Sequence, residues 1–511
     1  MKVPLTIGDF IRRAELVYGD RVGLIDEPGA PGGDLGSQTW SEVATRARAQ
    51  AAKLDELGIG TGQRVAMVSQ NSSRLLTSFF GCAAYGRIFV PINFRLSKSE
   101  IEYIVDHCGA TILLVDPSLE DITKDLPVEH YVVMGDDADS QMYSWDTEPV
   151  AWQPDEDATA VINYTSGTTA RPKGVQQTHR ALWINATTFG WHAGVNDWDN
   201  YLHTLPMFHC NGWGMPFATA GMGATNVVIR DVRGDEILRR VRDHDITLLA
   251  GAPAVVAAVL EAAKDWEGEI PGRGRTRMLV AGAPPPSITI ERMERELGWE
   301  FIQLYGLTET APLLTMNRRQ REDEHLDPAE RAKILTPQGV PAIGIEVKTN
   351  EAGEVMARGN HILEAYWEQP EATAEAIQDG WFYTGDGGSV DDKAMLTLSD
   401  RKKDVIISGG ENVSSIEVED CIFSHPAIEE VAVIGVPHEK WGETVKALVV
   451  AREGIDVSER DIIDHCRETM AHYKCPTSVE FREELARTAT GKIQKFKLRS
   501  PYWENQERQI N

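Results

Sequence analysis

Twice along this chain, short apolar runs alternate with helical stretches, and that alternation decides the fold class. In the first series, Arg64–Ser69, Ile88–Pro91, Thr111–Val115 and Ala158–Asn163 read as buried strands. Helices over Ser73–Tyr85 and Ser97–His107 separate the first three. In the second, helices over His179–Phe189, Gly234–His244 and Ala254–Ala263 interleave with strands at Thr225–Ile229, Thr247–Gly251 and Met278–Ala281. Strand–helix–strand units in series require parallel sheets covered by helices on both faces. Residues 115–157 are acidic and read as a surface excursion, and 315–335 as a charged loop. Between 340 and 400, short strands and turns replace the long units, which predicts a small β-rich subdomain. The charged string Arg401-Lys-Lys-Asp404 marks a boundary. The expected architecture is α/β: a large N-terminal domain over 1–400, with two doubly wound αβ subdomains and the β-rich one, then a small α+β C-terminal domain over 401–511.

The 511 residues carry a net charge of −27. A surface so acidic repels nucleic acid and anionic membrane, and it repels nucleotides at long range, so any nucleotide site must be locally positive. Six cysteines, without C-x-x-C spacing, read as mostly buried thiols in a reducing compartment. Neither a secretory leader nor an apolar run long enough to span a bilayer is expected, and the C-terminal Arg508-Gln-Ile-Asn511 is not a peroxisomal address. The expectation is a cytoplasmic protein with no nucleic-acid partner and no membrane span.

The richest chemistry lies in Tyr164-Thr-Ser-Gly-Thr-Thr-Ala-Arg-Pro-Lys-Gly174, directly after an apolar strand. Gly167 lets backbone N–H groups approach an anion, Thr165, Ser166, Thr168 and Thr169 add hydroxyl donors, and Lys173 adds a movable positive charge. These are parts for gripping a polyphosphate. A Walker A loop is excluded, because Lys173 is followed by Gly174 and lacks the preceding glycine. With the helix expected from His179, the loop would sit near a helix N-terminus, which suits phosphate. Farther on, Tyr305-Gly-Leu-Thr-Glu-Thr310 places an acid and a threonine at a strand end, where they can hold a divalent cation and phosphate oxygens.

The first stretch resembles the phosphate loop of the adenylate-forming superfamily: acyl-CoA synthetases (AMP-dependent CoA ligases), luciferases and peptide-synthetase adenylation domains. Ala170 stands where most members carry glycine. The other motifs follow in family order over nearly the full chain. The resemblance implies that Glu309 binds Mg²⁺ together with Thr165, that Thr308 contacts the α-phosphate and that Tyr305, followed by Gly306, stacks on adenine. Gly282, Ala283 and Pro284 correspond to the adenine-pocket segment. Asp386, in Tyr383-Thr-Gly-Asp386, corresponds to the ribose ligand and Arg401 to its helper. Lys403 corresponds to the hinge of a mobile C-terminal domain, Gly409 and Gly410 to the pantetheine tunnel, and Lys492, in Thr490-Gly-Lys492, to a lysine that enters the site during adenylation. In Leu205-Pro-Met-Phe-His-Cys-Asn-Gly-Trp213, His209 falls at the gate of the acyl pocket, where amino-acid-activating members carry Asp. Phe208, Trp213 and Trp299 either line a tunnel or fill core.

The resemblance implies an acyl-CoA synthetase using ATP, Mg²⁺ and coenzyme A on a small carboxylic acid, and it admits a homodimer. Its alternatives are an acyl-AMP ligase that loads a carrier protein, a luciferase-like oxygenase and a non-catalytic binding protein on the same fold.

Overall fold

In the computed structural model, the two strand–helix series form two large sheets with a layer of helices between them. The structure describes all residues except 145–146, 166–171, 402–403, 405, 409–410, 439–440, 488–492 and 504–511; of 400, 401, 411 and 412 it describes the backbone alone. The first sheet has seven strands. At its centre Arg64–Val68, Ile88–Ile92, Ala110–Val115 and Thr159–Thr165 run parallel. The second has nine strands, with Asn200–His203, Thr225–Val228, Leu248–Gly251, Arg277–Val280 and Glu300–Gly306 parallel.

Both sheets are buried on both faces, which is why their strands read as unbroken apolar runs. In the second sheet Leu248, Ala250, Leu279 and Ile302 face the central helical layer, while Leu249, Met278, Val280 and Phe301 face outer helices. In the first, Val65, Met67, Ile112 and Leu114 join the same central core, and Ala66, Val68, Leu113 and Val115 face the helix Lys98–Cys108.

Two stretches differ from expectation. The segment 115–157 is no simple excursion: His130–Val133 adds a parallel edge strand beside Ala110–Val115. Its acidic neighbours masked a four-residue strand that is only half-buried. The stretch 315–335 is not loop either. Leu313–Arg318 pairs antiparallel with Glu300–Gly306, and Pro328–Leu335 is a helix started by an Asp327–Glu330 capping box. Charge on the solvent side of a helix that buries only Arg331, Ala332 and Leu335 hid the pattern.

The expected β-rich subdomain is present as a five-stranded sheet over 345–401. A second five-stranded sheet, with helices Ser415–Phe423 and Glu459–Thr469, builds the C-terminal α+β unit around its own core of Val418, Ile422, Val433, Val449 and Ile462. The C-terminal unit touches the body where Ser287 N–H donates to Asp420 Oδ1 at 3.1 Å. Among the described residues, no helix is long and apolar enough to cross a membrane.

Candidate active site

Parallel strands deliver their C-terminal ends to one edge, and in open α/β sheets ligands bind there. Arg277–Val280 and Glu300–Gly306 are neighbours, with Val280 opposite Gln303. The loop Ala281-Gly282-Ala283-Pro284 therefore leaves the sheet beside Tyr305-Gly306. Gly282 has φ of +94°, and open space lies where its Cβ would point, so the backbone itself forms that wall. Beyond Gly306 the chain makes a 3₁₀ turn, Thr308–Thr310.

Asp386 lies on Trp381–Val390 of the β-rich subdomain, opposite Arg401 in the adjacent strand. Tyr305 Oη donates to Asp386 Oδ2 at 2.9 Å. Both residues are largely buried, at 7% and 9% exposure. A tyrosine ring whose hydroxyl is anchored by a carboxylate places a flat apolar face beside a hydrogen-bond acceptor, parts that suit a base next to a vicinal diol.

The phosphate stretch is organised differently from the expectation. Thr159–Thr165 and Lys173–Thr178 form an antiparallel hairpin, with Thr165 opposite Lys173. The helix His179–Ala193 starts at the far end of the return strand, which is six residues long, about 20 Å away at strand rise. The N-terminus of that helix therefore does not lie beside the turn that follows Thr165. The polar Lys173–Thr178 strand lacks an apolar signature, so the turn looked like a strand-to-helix turn. Ser166, Gly167, Thr168 and Thr169 lie outside the described residues.

The hairpin base is braced on two sides. Tyr103 Oη donates to Pro172 O at 3.3 Å, and His107 Nδ1 lies 2.7 Å from Tyr164 Oη, both from Lys98–Cys108. On the other side, Ala365–Tyr366 pairs with Val175–Gln176. Lys173 Nζ sits 4.8 Å from the centroid of the Tyr366 ring, and Tyr366 Oη donates to Glu309 Oε1 at 2.9 Å. Burial first, then the Glu309 carboxylate, push the Tyr366 phenol above its ordinary value, so it remains a donor at neutral pH. Tyr366 thus joins Lys173 to Glu309. Sequence reasoning passed over it, because a Tyr-Trp pair in a turn-rich stretch looks like packing and Glu309 is 57 residues away.

His209 precedes a run of left-handed backbone: Cys210, Asn211, Gly212, Trp213 and Gly214 all have φ between +45° and +76°. For the three non-glycine residues this costs roughly 1–2 kcal/mol each. Buried amides hold the run in place. Asn211 Nδ2 donates to Gln177 Oε1 at 2.7 Å, Asn163 Nδ2 to Asn211 Oδ1 at 3.1 Å, and Gln177 Nε2 to Thr308 O at 2.7 Å. The gate loop, the hairpin and the Thr308 turn therefore share one polar network, a cluster of strain and satisfied amides typical of functional sites. Asn163, Gln177 and Asn211 were missed in the sequence because each sits in a different motif. Burial pushes the Cys210 thiol up to about 12, so it serves as packing and not as a nucleophile. Trp299 is core, at 1% exposure with Nε1 donating to Pro271 O. Phe208 packs edge-on against Phe94, and Trp213 joins the central core.

Lys403, Gly409, Gly410 and Lys492 also lie outside the described residues, as does the side chain of Arg401.

Residues 11–367 match the family model for the AMP-binding enzyme, and residues 417–492 the model for the AMP-binding enzyme C-terminal domain. The chain belongs to the AMP-binding enzymes. Among curated proteins, this AMP-binding enzyme is 35% identical to 2-methylpropanoate–CoA ligase of Humulus lupulus, over 97% of this chain and 95% of the relative. It is also 35% identical to 4-hydroxybutyrate–CoA ligase 2 of Metallosphaera sedula, over 90% and 89%. Among solved structures it superposes on an anthranilate CoA ligase in complex with anthranoyl-AMP with a TM-score of 0.86 and 28% identity, covering 98% of this chain and 99% of the other. The o-succinylbenzoate CoA synthetase of Bacillus subtilis, with its acyl-adenylate intermediate, gives 0.82 and 27%, covering 98% and 99%.

Proposed function

We infer that this AMP-binding enzyme is an AMP-forming acid–CoA ligase acting on a small carboxylic acid. The supporting observation is the Tyr305–Asp386 hydrogen bond, which brings together two residues 81 positions apart, one from the strand end beside the Gly282 loop and one from the β-rich subdomain. In the first half-reaction a carboxylate oxygen attacks the α-phosphorus of ATP, the P–O bond to pyrophosphate breaks, and acyl-AMP forms. In the second, the CoA sulfur, losing its proton, attacks the acyl carbonyl and AMP leaves. The protein supplies position and charge rather than covalent chemistry.

Tyr305 stacks on the adenine against the Gly282–Pro284 wall, with Gly306 beside it. Asp386, aided by Arg401, accepts from the ribose hydroxyls. Ser166, Gly167, Thr168, Thr169 and Lys173 hold the β- and γ-phosphates, and Thr308 holds the α-phosphate. His209 faces the incoming carboxylate. Among the described residues no three His, Cys, Asp or Glu converge as a metal site. The residues that would hold a divalent cation are Glu309, through its carboxylate, and Thr165, through its hydroxyl. That donor set suits Mg²⁺, which keeps waters and relies on substrate phosphates for most of its ligands. When bound with ATP, Mg²⁺ offsets phosphate charge and orients the leaving pyrophosphate. After adenylation the C-terminal unit turns about Lys403, and the Gly409-Gly410 loop opens a path narrow enough for the thiol arm.

The relatives' substrates point to short aliphatic or hydroxylated acids as the class to test first. The experiment is pyrophosphate release over a panel of acids from acetate to octanoate with aryl acids included, with CoA and an acyl carrier protein compared as acceptors. Acid-dependent pyrophosphate release and a CoA thioester product support the proposal. Thioester on the carrier alone, or no acid-dependent release, overturns it.

Asp386→Ala is expected to raise the KM for ATP by roughly tenfold to a hundredfold, the range of one to two hydrogen bonds to a charged acceptor. The KM for the acid should stay within about twofold, since the predicted loss is confined to nucleotide binding. Initial-rate kinetics with each substrate varied separately reads both values. Equal rises in both would remove the ribose assignment.

A further inference from the structure

Glu309 is held at both its ends by the same short segment. Its backbone carbonyl accepts from Leu363 N–H at 2.6 Å, and its carboxylate Oε1 accepts from Tyr366 Oη at 2.9 Å. That segment is itself fixed. Glu364 N–H donates to Gln176 O at 3.0 Å, Trp367 N–H to Gly174 O at 2.7 Å, and Tyr366 N–H to Thr373 Oγ1 at 2.9 Å. Leu363, Tyr366, Val175 and Phe382 pack as a small separate core. The Tyr366 ring is 8% exposed, and its face lies under the Lys173 ammonium. One side chain thus contacts the carboxylate at the end of one subdomain's strand and the cation at the base of the other's hairpin.

We propose that Tyr366 is a positioning residue: its hydroxyl fixes the Glu309 carboxylate that would hold a divalent cation, and its ring face seats the Lys173 ammonium toward the phosphates. The inference rests on the proposed roles of Glu309 and Lys173. The two contacts are separable. A hydroxyl bonded to a carboxylate fixes which carboxylate oxygens can turn toward the metal, and outer partners of metal ligands carry roughly tenfold to a hundredfold of metal affinity. A cation over an aromatic face needs only the ring. Phenylalanine therefore removes the first contact and keeps the second, whereas leucine removes both.

The test uses the full-length protein, Mn²⁺ as the probe cation and a non-cleavable α,β-methylene analogue of ATP. Mn²⁺ affinity in the ternary complex is read by electron paramagnetic resonance, and analogue affinity without metal by calorimetry. Tyr366→Phe is expected to weaken Mn²⁺ by about tenfold and to leave metal-free analogue binding within about twofold, because the ring remains. Tyr366→Leu is expected to weaken both, and a thermal melt establishes that each variant is folded. Glu309→Gln serves as the reference for the underlying site. Weakened Mn²⁺ in Glu309→Gln with unchanged Mn²⁺ in Tyr366→Phe overturns the role of Tyr366 and leaves the site reading standing. Unchanged Mn²⁺ in Glu309→Gln removes the Glu309 assignment and this inference with it. If Tyr366→Leu does not fold, the phenylalanine variant alone decides.

Discussion

Replacing Lys492 with alanine is expected to cut acyl-adenylate formation by roughly a hundredfold to a thousandfold while transfer from supplied acyl-AMP to CoA stays within a few-fold of wild type. The physical reason is a charge problem specific to the first half-reaction. A carboxylate and a phosphate, both anions, must come within bonding distance on a protein whose net charge is −27. Lys173 sits over Tyr366 at the hairpin base, on the side proposed for the β- and γ-phosphates. A second cation is therefore needed at the α-phosphate. Lys492, on the C-terminal unit, is proposed to supply one. Asp420 accepts from Ser287 just beyond the Gly282–Pro284 wall. The Glu100 carboxyl is held below its ordinary value first by its hydrogen bonds to Ser97 and in part by Lys497, across the gap between the two units. On either side of 488–492, Arg487 and Ile493 pair as a bridge, and Lys495 is anchored to Glu419 at 2.7 Å. In the second half-reaction the attacked carbonyl is neutral, so that cation is not required. Pyrophosphate exchange and single-turnover thioester formation measure the two steps separately. Equal losses in both would remove the role given to Lys492.

What could be read from the chain before any coordinates follows from where the information resides. The parallel strands are buried on both faces, so their apolar runs announce themselves, and the glycine- and hydroxyl-rich strings at their ends are too specific to arise from packing. Other features were hidden. The return strand Lys173–Thr178 is polar, so the hairpin read as a strand-to-helix turn and the helix dipole was wrongly placed beside the anion loop. The half-buried His130–Val133 edge strand was masked by acidic flanks. The Asn163–Asn211–Gln177 network and the Tyr366–Glu309 contact join residues that lie far apart in sequence, in separate motifs. Pairings of this kind exist only once the subdomains have packed, and a linear pattern does not encode them.

Gly306→Ala is expected to damage the cleft more than any other single methyl group. An ideal Cβ at this position would stand 1.7 Å from Pro312 O and 2.7 Å from its carbonyl carbon. Backbone cannot yield as a side-chain tip can, so the two antiparallel strands must separate where Gly306 faces Leu313. Overpacking of this kind costs about 1–3 kcal/mol, and the melting temperature should fall by several degrees. The larger effect is on position. Gly306 lies between Tyr305, bonded to Asp386, and the Thr308–Glu309 turn, whose carbonyls are bonded to Gln177 and Leu363. A shift of about 1 Å there moves the residues proposed for adenine, α-phosphate and metal together, and displacements of that size cost on the order of a hundredfold in rate. Gly282→Ala gives the contrast. Its φ of +94° strains any side chain, but nothing stands within 4 Å of the added methyl. It should lose stability through backbone strain of roughly 1–3 kcal/mol and keep the Tyr305–Asp386 geometry, so its loss of adenylation should come from the methyl on the proposed adenine side and appear as a raised KM for ATP. Thermal melts and ATP-dependent pyrophosphate exchange on both variants decide the matter. If Gly306→Ala melts and turns over like wild type, the close approach of residues 306 and 312 does not exist in solution.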